Sequence, residues 1–218
     1  MSTTSPPTVV TVSAPYGAGG SVIGPRVAEA LGVPFLDRAI PTGVAERLSM
    51  PLEDALEQDE CPPHALDRLL HSFASLGPAV VGTPMHVDLS QLTVADATEH
   101  VIRERIAAGG GVVLGRAGQV VLKDRPGTLH VRLGGPADRR VRQAMAIEGV
   151  DRATAERRLE QTDRAREQYL RQFYGADAKD ASLYHLMLDS TAIDVEVCVA
   201  MIVQAAKALH AEALAAAT

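Results

Sequence analysis

Tryptophan is absent from this chain, and aromatic residues make up only 3% of its 218 positions. Base-stacking platforms are built from such rings, so their scarcity argues against that mode of nucleic-acid binding. Positive charge is also in deficit, with a formal net charge of −6 at pH 7. That excludes a global basic field for a nucleic-acid polymer and leaves only a local arginine cluster open. The two cysteines, Cys61 and Cys198, lie far apart and form no C-x-x-C pair, which removes zinc-site and disulfide readings. Cys198 falls in an apolar helical pattern and reads as a small core residue. Cys61 lies in an acidic, proline-rich loop with no visible role. No run of about 18 apolar residues occurs, so no membrane-spanning helix is expected. Met1 to Pro7 has neither a basic n-region nor an apolar h-region and reads as a disordered tail rather than a signal peptide. The expected compartment is the reducing cytoplasm.

What is present is a chain 46% hydrophobic, enough for one buried core over residues 8–218. Thr8 to Ser13 (TVVTVS) is β-branched and apolar, as in a buried parallel strand. A glycine-rich turn, Gly17-Ala18-Gly19-Gly20, follows it. Ser21 to Leu31 has helical spacing at Val22, Ile23, Val27, Ala30 and Leu31. Pro25 places the helix start near Ser21, because proline suits a first turn, and Gly32 ends the helix. Val33 to Leu36 reads as a second strand, closed by Asp37-Arg38. Residues 40–100 are less regular and read as a helical insert, in which Pro62-Pro63 opens a helix through Leu76. A longer helix from Thr93 to Ala108 follows, capped by Thr93 with Asp96 three residues on. Further strands are expected at Val112 to Leu114, Thr128 to Leu133 and Leu186 to Leu188. Further helices are expected at Ala137 to Glu148, from an Asp151 cap to about Tyr169, and from Ala192 to Ala215 behind a Ser190 or Thr191 cap. Strands alternating with helices imply right-handed crossovers and a five-stranded parallel sheet with helices on both faces.

The strand–glycine turn–helix at the start is the strongest local signal for chemistry. Such a turn presents backbone N–H groups beside a helix N-terminus, where the helix dipole favours a phosphate. The phosphate-binding pattern is G-x-x-x-x-G-K-[ST]. The corresponding residues are Ala14 to Ser21, in which Gly19 and Ser21 match, Ala14 replaces the first glycine and Gly20 replaces the lysine. A tight turn with no ligand is the competing reading. Lysine is scarce throughout: Lys123, Lys179 and Lys207 are the only ones among 21 basic residues. Phosphoryl transfer here would therefore draw its mobile charge from arginine, which grips phosphate oxygens bidentately. Arg116 ends the third strand, at the edge where open α/β sheets bind ligands. Arg139, Arg140 and Arg142 open the next helix, and Arg157, Arg158, Arg164 and Arg166 line the one after it. A solvated face paired with Glu156, Glu160, Asp163 and Glu167 is the alternative for the helical arginines. Asp37, closing the second strand, suits either a Mg²⁺-bound water or ribose hydroxyl, or a turn. The seven histidines show no metal spacing.

Taken in order, VVTVSAPYGAGGSVIG, LGVPFLDRAI, GGGVVLGRAGQVVL, DRAREQY and YHLMLDSTAIDVE resemble the cytidylate kinases, and more closely the cytidylate kinase-like branch. The resemblance implies a P-loop kinase fold with a helical acceptor-binding insert and an Arg-rich lid at residues 151–180. It also implies ATP- and Mg²⁺-dependent phosphorylation of a nucleoside monophosphate, CMP or dCMP. On its terms Gly17, Ala18, Gly19, Gly20 and Ser21 hold the donor phosphates, with the Ser21 hydroxyl on the metal. Asp37, Arg38 and Arg116 face the acceptor. Arg116, Arg140, Asp163, Arg164 and Arg166 form the catalytic and lid set. Two positions depart from the pattern: Gly20 replaces a loop lysine, and Arg38-Ala39 replaces a small Ser- or Thr-Gly turn. A nucleotide sensor or pseudokinase without turnover, or a kinase for another small phosphate acceptor, are the alternatives. The expected partners are nucleotides, with no nucleic-acid polymer.

Overall fold

The computed structural model describes residues 7–37 and 89–216. The expected tail up to residue 6 and most of the 40–100 insert, with Arg38, Cys61 and the Pro62-Pro63 helix, lie outside the described residues. Five strands, β1 (Val9–Ser13), β2 (Phe35–Leu36), β3 (Gly111–Leu114), β4 (Thr128–Gly134) and β5 (Leu186–Asp189), form one sheet in the order β2-β3-β1-β4-β5. Each neighbouring pair is parallel. The helices are α1 (Gly20–Leu31), α2 (Leu89–Gly109), α3 (Gly118–Val121), α4 (Ala137–Glu148), α5 (Arg152–Tyr174) and α6 (Val195–Ala216).

The register explains how the two sheet faces differ. Val10 pairs with Val112 and Leu129, and Val12 with Leu114 and Val131. These side chains share one face and pack with Ile23 and Val27 of α1 and Cys198 and Ile202 of α6. Cys198 is fully buried, as its apolar spacing predicts. The opposite face is divided. Toward β3, Val9 and Val113 pack with Ile102 and Ile106 of α2 and Val121 of α3. Toward β4 and β5 the same face carries Thr11, Ser13, His130, Arg132 and Met187, and there a cleft opens.

Three helix starts differ from the sequence expectation. Helix α1 begins at Gly20 behind a left-handed Gly19, which puts Pro25 in the second turn, without an N–H for the Ser21 carbonyl. Helix α2 already runs at Leu89, so Thr93 lies inside it rather than capping it. The last helix starts at Val195 and not at Ala192; the Asp194 carboxylate accepts the Glu196 N–H at 2.8 Å, and the Ser190 hydroxyl instead donates to the Ala18 carbonyl at 2.7 Å. Asp151 does cap α5, accepting the Thr154 N–H at 2.7 Å. Helix α5 runs on to Tyr174, and α3 is a short helix the periodicity did not reveal. Helix α6 is long and apolar enough to cross a membrane by length and composition alone, yet its Cys198 face is core against α1.

Candidate functional site

The turn from β1 into α1 is held open by two left-handed glycines, Gly17 (φ 74°) and Gly19 (φ 73°). Among the described residues, the N–H groups of Gly17, Gly19, Gly20 and Ser21 meet no acceptor. They lie at the N-terminus of a twelve-residue helix. Unused donors at a positive helix end fit an anion.

Helix α4 packs over that loop. A Cβ added at Gly17 would meet the Arg140 carbonyl oxygen at 2.2 Å, and one at Gly19 would meet Gln143 Nε2 at 2.7 Å. These glycines therefore make room for a helix, and not only for a phosphate as the sequence suggested. Gly20 is crowded from within: its Cβ would lie 2.7 Å from the Ala14 Cβ and 2.9 Å from a Leu114 methyl. The two departures from the loop pattern thus compensate each other. The methyl of Ala14 fills the space that a side chain at position 20 would need.

Two Arg–Asp pairs flank the end of β1. On the β3 side, Gly115, Arg116 and Ala117 all have positive φ, unusual for Arg and Ala. This turn folds the Arg116 guanidinium back onto the Leu114 carbonyl at 3.0 Å and onto Asp37 at 3.1 Å. The sequence placed both residues at the acceptor, and the structure brings them together. On the β4 side, Arg140 donates to the carbonyls of Gly135 and Tyr16 and to Asp163 at 2.7 Å. The second Asp163 oxygen accepts the Tyr16 N–H at 2.8 Å. Arg166 donates to the Ala14 carbonyl at 2.5 Å. Two consecutive helices thus hold the glycine turn by its own backbone.

Tyr16 bolts this assembly together. Its ring packs against the cluster of Val141, Ala144 and Ala155, and its hydroxyl donates to Glu148 at 2.7 Å. Partial burial, reinforced by the Glu148 carboxylate, raises its pKa above the usual phenol value.

Arg140, Asp163 and Arg166 line a cleft of about 520 Å³ together with Ser13, Ala14, Arg132, Lys179 and Asp189. Gly17 to Ser21, Asp37, Arg116 and Arg164 do not line it. Arg157 and Arg158 are tied to Thr154 and Glu148, which are not the partners that the solvated-face reading names. At the cleft's far edge, Asp189 accepts from the Thr191 hydroxyl at 2.6 Å and pairs with Arg139. The Thr191 hydroxyl is the main reason its carboxyl titrates below the usual range, with the Arg139 charge adding to it. Sequence reasoning missed Tyr16, Arg132, Gln143 and Tyr184. Only Arg132 had a signal, a charge inside an otherwise apolar strand.

A parallel sheet in this order, with a glycine turn joining its central strand to the first helix, defines a P-loop kinase fold. The chain belongs to the cytidylate kinase-like family, whose model matches residues 9–192. It is 26% identical over 184 residues to a cytidylate kinase from Methanopyrus kandleri, covering 84% of each chain. A uronate isomerase from Corynebacterium glutamicum is 32% identical over 95 residues, 44% of this chain but only 18% of that relative's length. A solved structure of an uncharacterized protein from Eubacterium ventriosum ATCC 27560 covers 92% of this chain and 98% of its own at a TM-score of 0.65. At 18% identity that likeness concerns the fold alone.

Proposed function

We propose that this protein is a cytoplasmic kinase that moves the γ-phosphoryl group of ATP to a nucleoside monophosphate, CMP or dCMP. The observation that carries the reading is the joining of four unused loop N–H groups to an Arg140–Asp163–Arg166 cluster that holds the same loop. Mg²⁺ with ATP would supply charge neutralisation across the transferred phosphate. In this reading the N–H groups of Gly17, Gly19, Gly20 and Ser21 orient the donor phosphates. Arg140 and Arg166 supply the positive charge that a loop lysine supplies elsewhere, and Arg116 with Asp37 faces the acceptor. Such a site works by positioning and charge stabilisation, with little covalent chemistry asked of the protein.

The crowding at Gly20 favours a second reading, a nucleotide sensor that binds without turnover. One experiment separates the two. ATP binding is measured by calorimetry, and ATP consumption is followed with CMP, dCMP, UMP and no acceptor. Acceleration by CMP or dCMP is the expected result. ATP binding with no acceleration by any monophosphate would establish the sensor.

A further inference from the structure

The interior of a parallel strand is normally apolar, yet Arg132 lies inside β4. It is level with Ser13 of β1 and Met187 of β5, on the face that α1 and α6 leave uncovered. Its guanidinium lies 5.5 Å from the centre of the Tyr184 ring and donates to the Tyr184 hydroxyl at 3.3 Å. That buried hydroxyl is a junction. It donates to the Ala178 carbonyl at 3.0 Å and is reached by Gln119 Nε2 at 3.5 Å, with the Ser13 hydroxyl 3.4 Å away. Residues from β1, β4, α3 and the segment before β5 therefore converge on one oxygen, which fixes the plane of the Arg132 guanidinium.

Among the described residues, the charge held there is unmatched. The carboxylates lining the cleft are engaged by other cations: Asp163 by Arg140 at 2.7 Å, Glu167 by Lys179 at 2.8 Å, and Asp189 by Arg139. Among the described residues, Arg132 has no carboxylate partner. Guanidinium carries five N–H donors in a fixed fork, and Tyr184 engages one nitrogen of it. A half-buried cation with spare donors facing a ligand-sized cleft is costly unless an anion completes it.

Resting on the kinase reading above, we infer that Arg132 binds the acceptor's phosphoryl group from the β4 side, opposite Arg116 on the β3 side. The two strands flank β1, so they lie about 10 Å apart. Gln119, three residues beyond Arg116, reaches the same Tyr184 hydroxyl as Arg132, so both arms belong to one sheet face. The phosphate would sit at the end of β1, beside the glycine loop.

The test uses the full chain and its Arg132→Gln variant, with the glycine loop filled by a non-hydrolysable ATP analogue. CMP, inorganic phosphate and cytidine are titrated by calorimetry. The variant should lose about tenfold or more in affinity for CMP and for phosphate, the scale of a charge-assisted contact. Its affinities for cytidine and for the ATP analogue should not change. Arg132→Lys, which keeps the charge and loses the fork, should fall between the two and serves if the glutamine variant does not fold. Parental affinity for CMP and phosphate in the variants overturns the inference, as does a parent that binds neither. Loss of cytidine affinity in step with CMP also overturns it, because Arg132 would then read the nucleoside. If the parent binds phosphate in an Arg132-dependent way but no nucleoside monophosphate, the anion site stands and the acceptor proposed above falls.

Discussion

The two Arg–Asp pairs at the end of β1 look alike in composition and differ in what holds them. Arg116–Asp37 joins two residues that each follow a strand, and both are placed by the sheet itself. Arg140–Asp163 joins two helices, and neither residue is adjacent to a strand. The arginines are equally covered, at 10% and 11% side-chain exposure, but Asp37 is 37% exposed and Asp163 only 21%. Arg140 also bonds two carbonyls, one of them in the glycine turn. The first pair decorates the sheet edge, whereas the second clamps the loop it serves.

The largest expected effect follows from that difference. Arg140→Ala removes three hydrogen bonds and leaves the Asp163 carboxylate without its cation. Unfolding free energy should fall by about 3 kcal/mol or more, because the partner is left part-buried and unpaired. Asp37→Asn breaks a pair whose carboxylate already meets water and should cost about 1 kcal/mol or less. Urea denaturation of both variants makes the comparison, and equal losses would erase the distinction between clamp and edge.

Below the clamp, β4 carries His130, only 4% exposed. Its ring hydrogen-bonds Thr11 at 2.8 Å and stacks on His185 at 5.0 Å, while its backbone N–H donates to His185 Nδ1. Burial, helped by His185, holds its pKa down to about 4 against an ordinary 6.5. The unfolded chain therefore takes up this proton first as pH falls. The stability contributed is complete above pH 6.5 and drains away between 6.5 and 4. The loss across that window should be on the order of 3 kcal/mol. Denaturation at a series of pH values should show the slope in the parent and a shallower one in His130→Gln. Matching slopes would mean that the β4 half of the sheet carries no such proton linkage.

The sequence makes the sheet legible and the clamp largely illegible, for a physical reason. Buried parallel strands announce themselves as β-branched runs, so five strands could be placed to within about two residues, and Asp37 and Arg116 were found because they end strands. Tyr16, Gln143 and the Tyr184 junction depend on how helices lie over the loop, and no local periodicity encodes that. Thr93 failed as a cap because α2 begins before it, and the Ser190 hydroxyl bonds the Ala18 carbonyl instead of capping α6. Arg140 and Arg166 were candidates from the helix pattern, and their catalytic roles, with that of Asp163, came through family resemblance; their hold on the loop backbone was not foreseen.

A smaller effect sharpens the comparison in function. Arg116→Ala should raise the KM for the monophosphate about tenfold, the scale of one charge-assisted contact, and change that for ATP less. Arg140→Ala should instead lower kcat, because its contacts are to the loop that would hold the donor. Steady-state kinetics with both substrates varied would expose identical patterns, and identical patterns would remove the division of labour.

The smallest effect tests the ground between the pairs, where Ala14 and Gly20 share one space. Gly20→Lys alone forces its Cβ against the Ala14 methyl and a Leu114 methyl, and overpacking of that kind costs about 1–3 kcal/mol. The Leu114 methyl ends a flexible side chain and can swing aside; the Ala14 Cβ is fixed to the backbone and cannot. Ala14→Gly alone should cost little beyond the added freedom of the unfolded chain, up to about 1 kcal/mol. Combined, the two substitutions should recover about 1 kcal/mol relative to their sum, the coupling expected of residues in direct contact. The double variant carries the full G-x-x-x-x-G-K-S pattern, so it should also bind ATP more tightly than the parent. Strict additivity in a double-mutant cycle would show that position 20 is not closed by Ala14, and the compensating exchange would have to be abandoned. Recovered stability without tighter ATP binding would leave the packing argument intact and would show that this loop, held by Arg140 and Arg166, already has the charge that a lysine would bring.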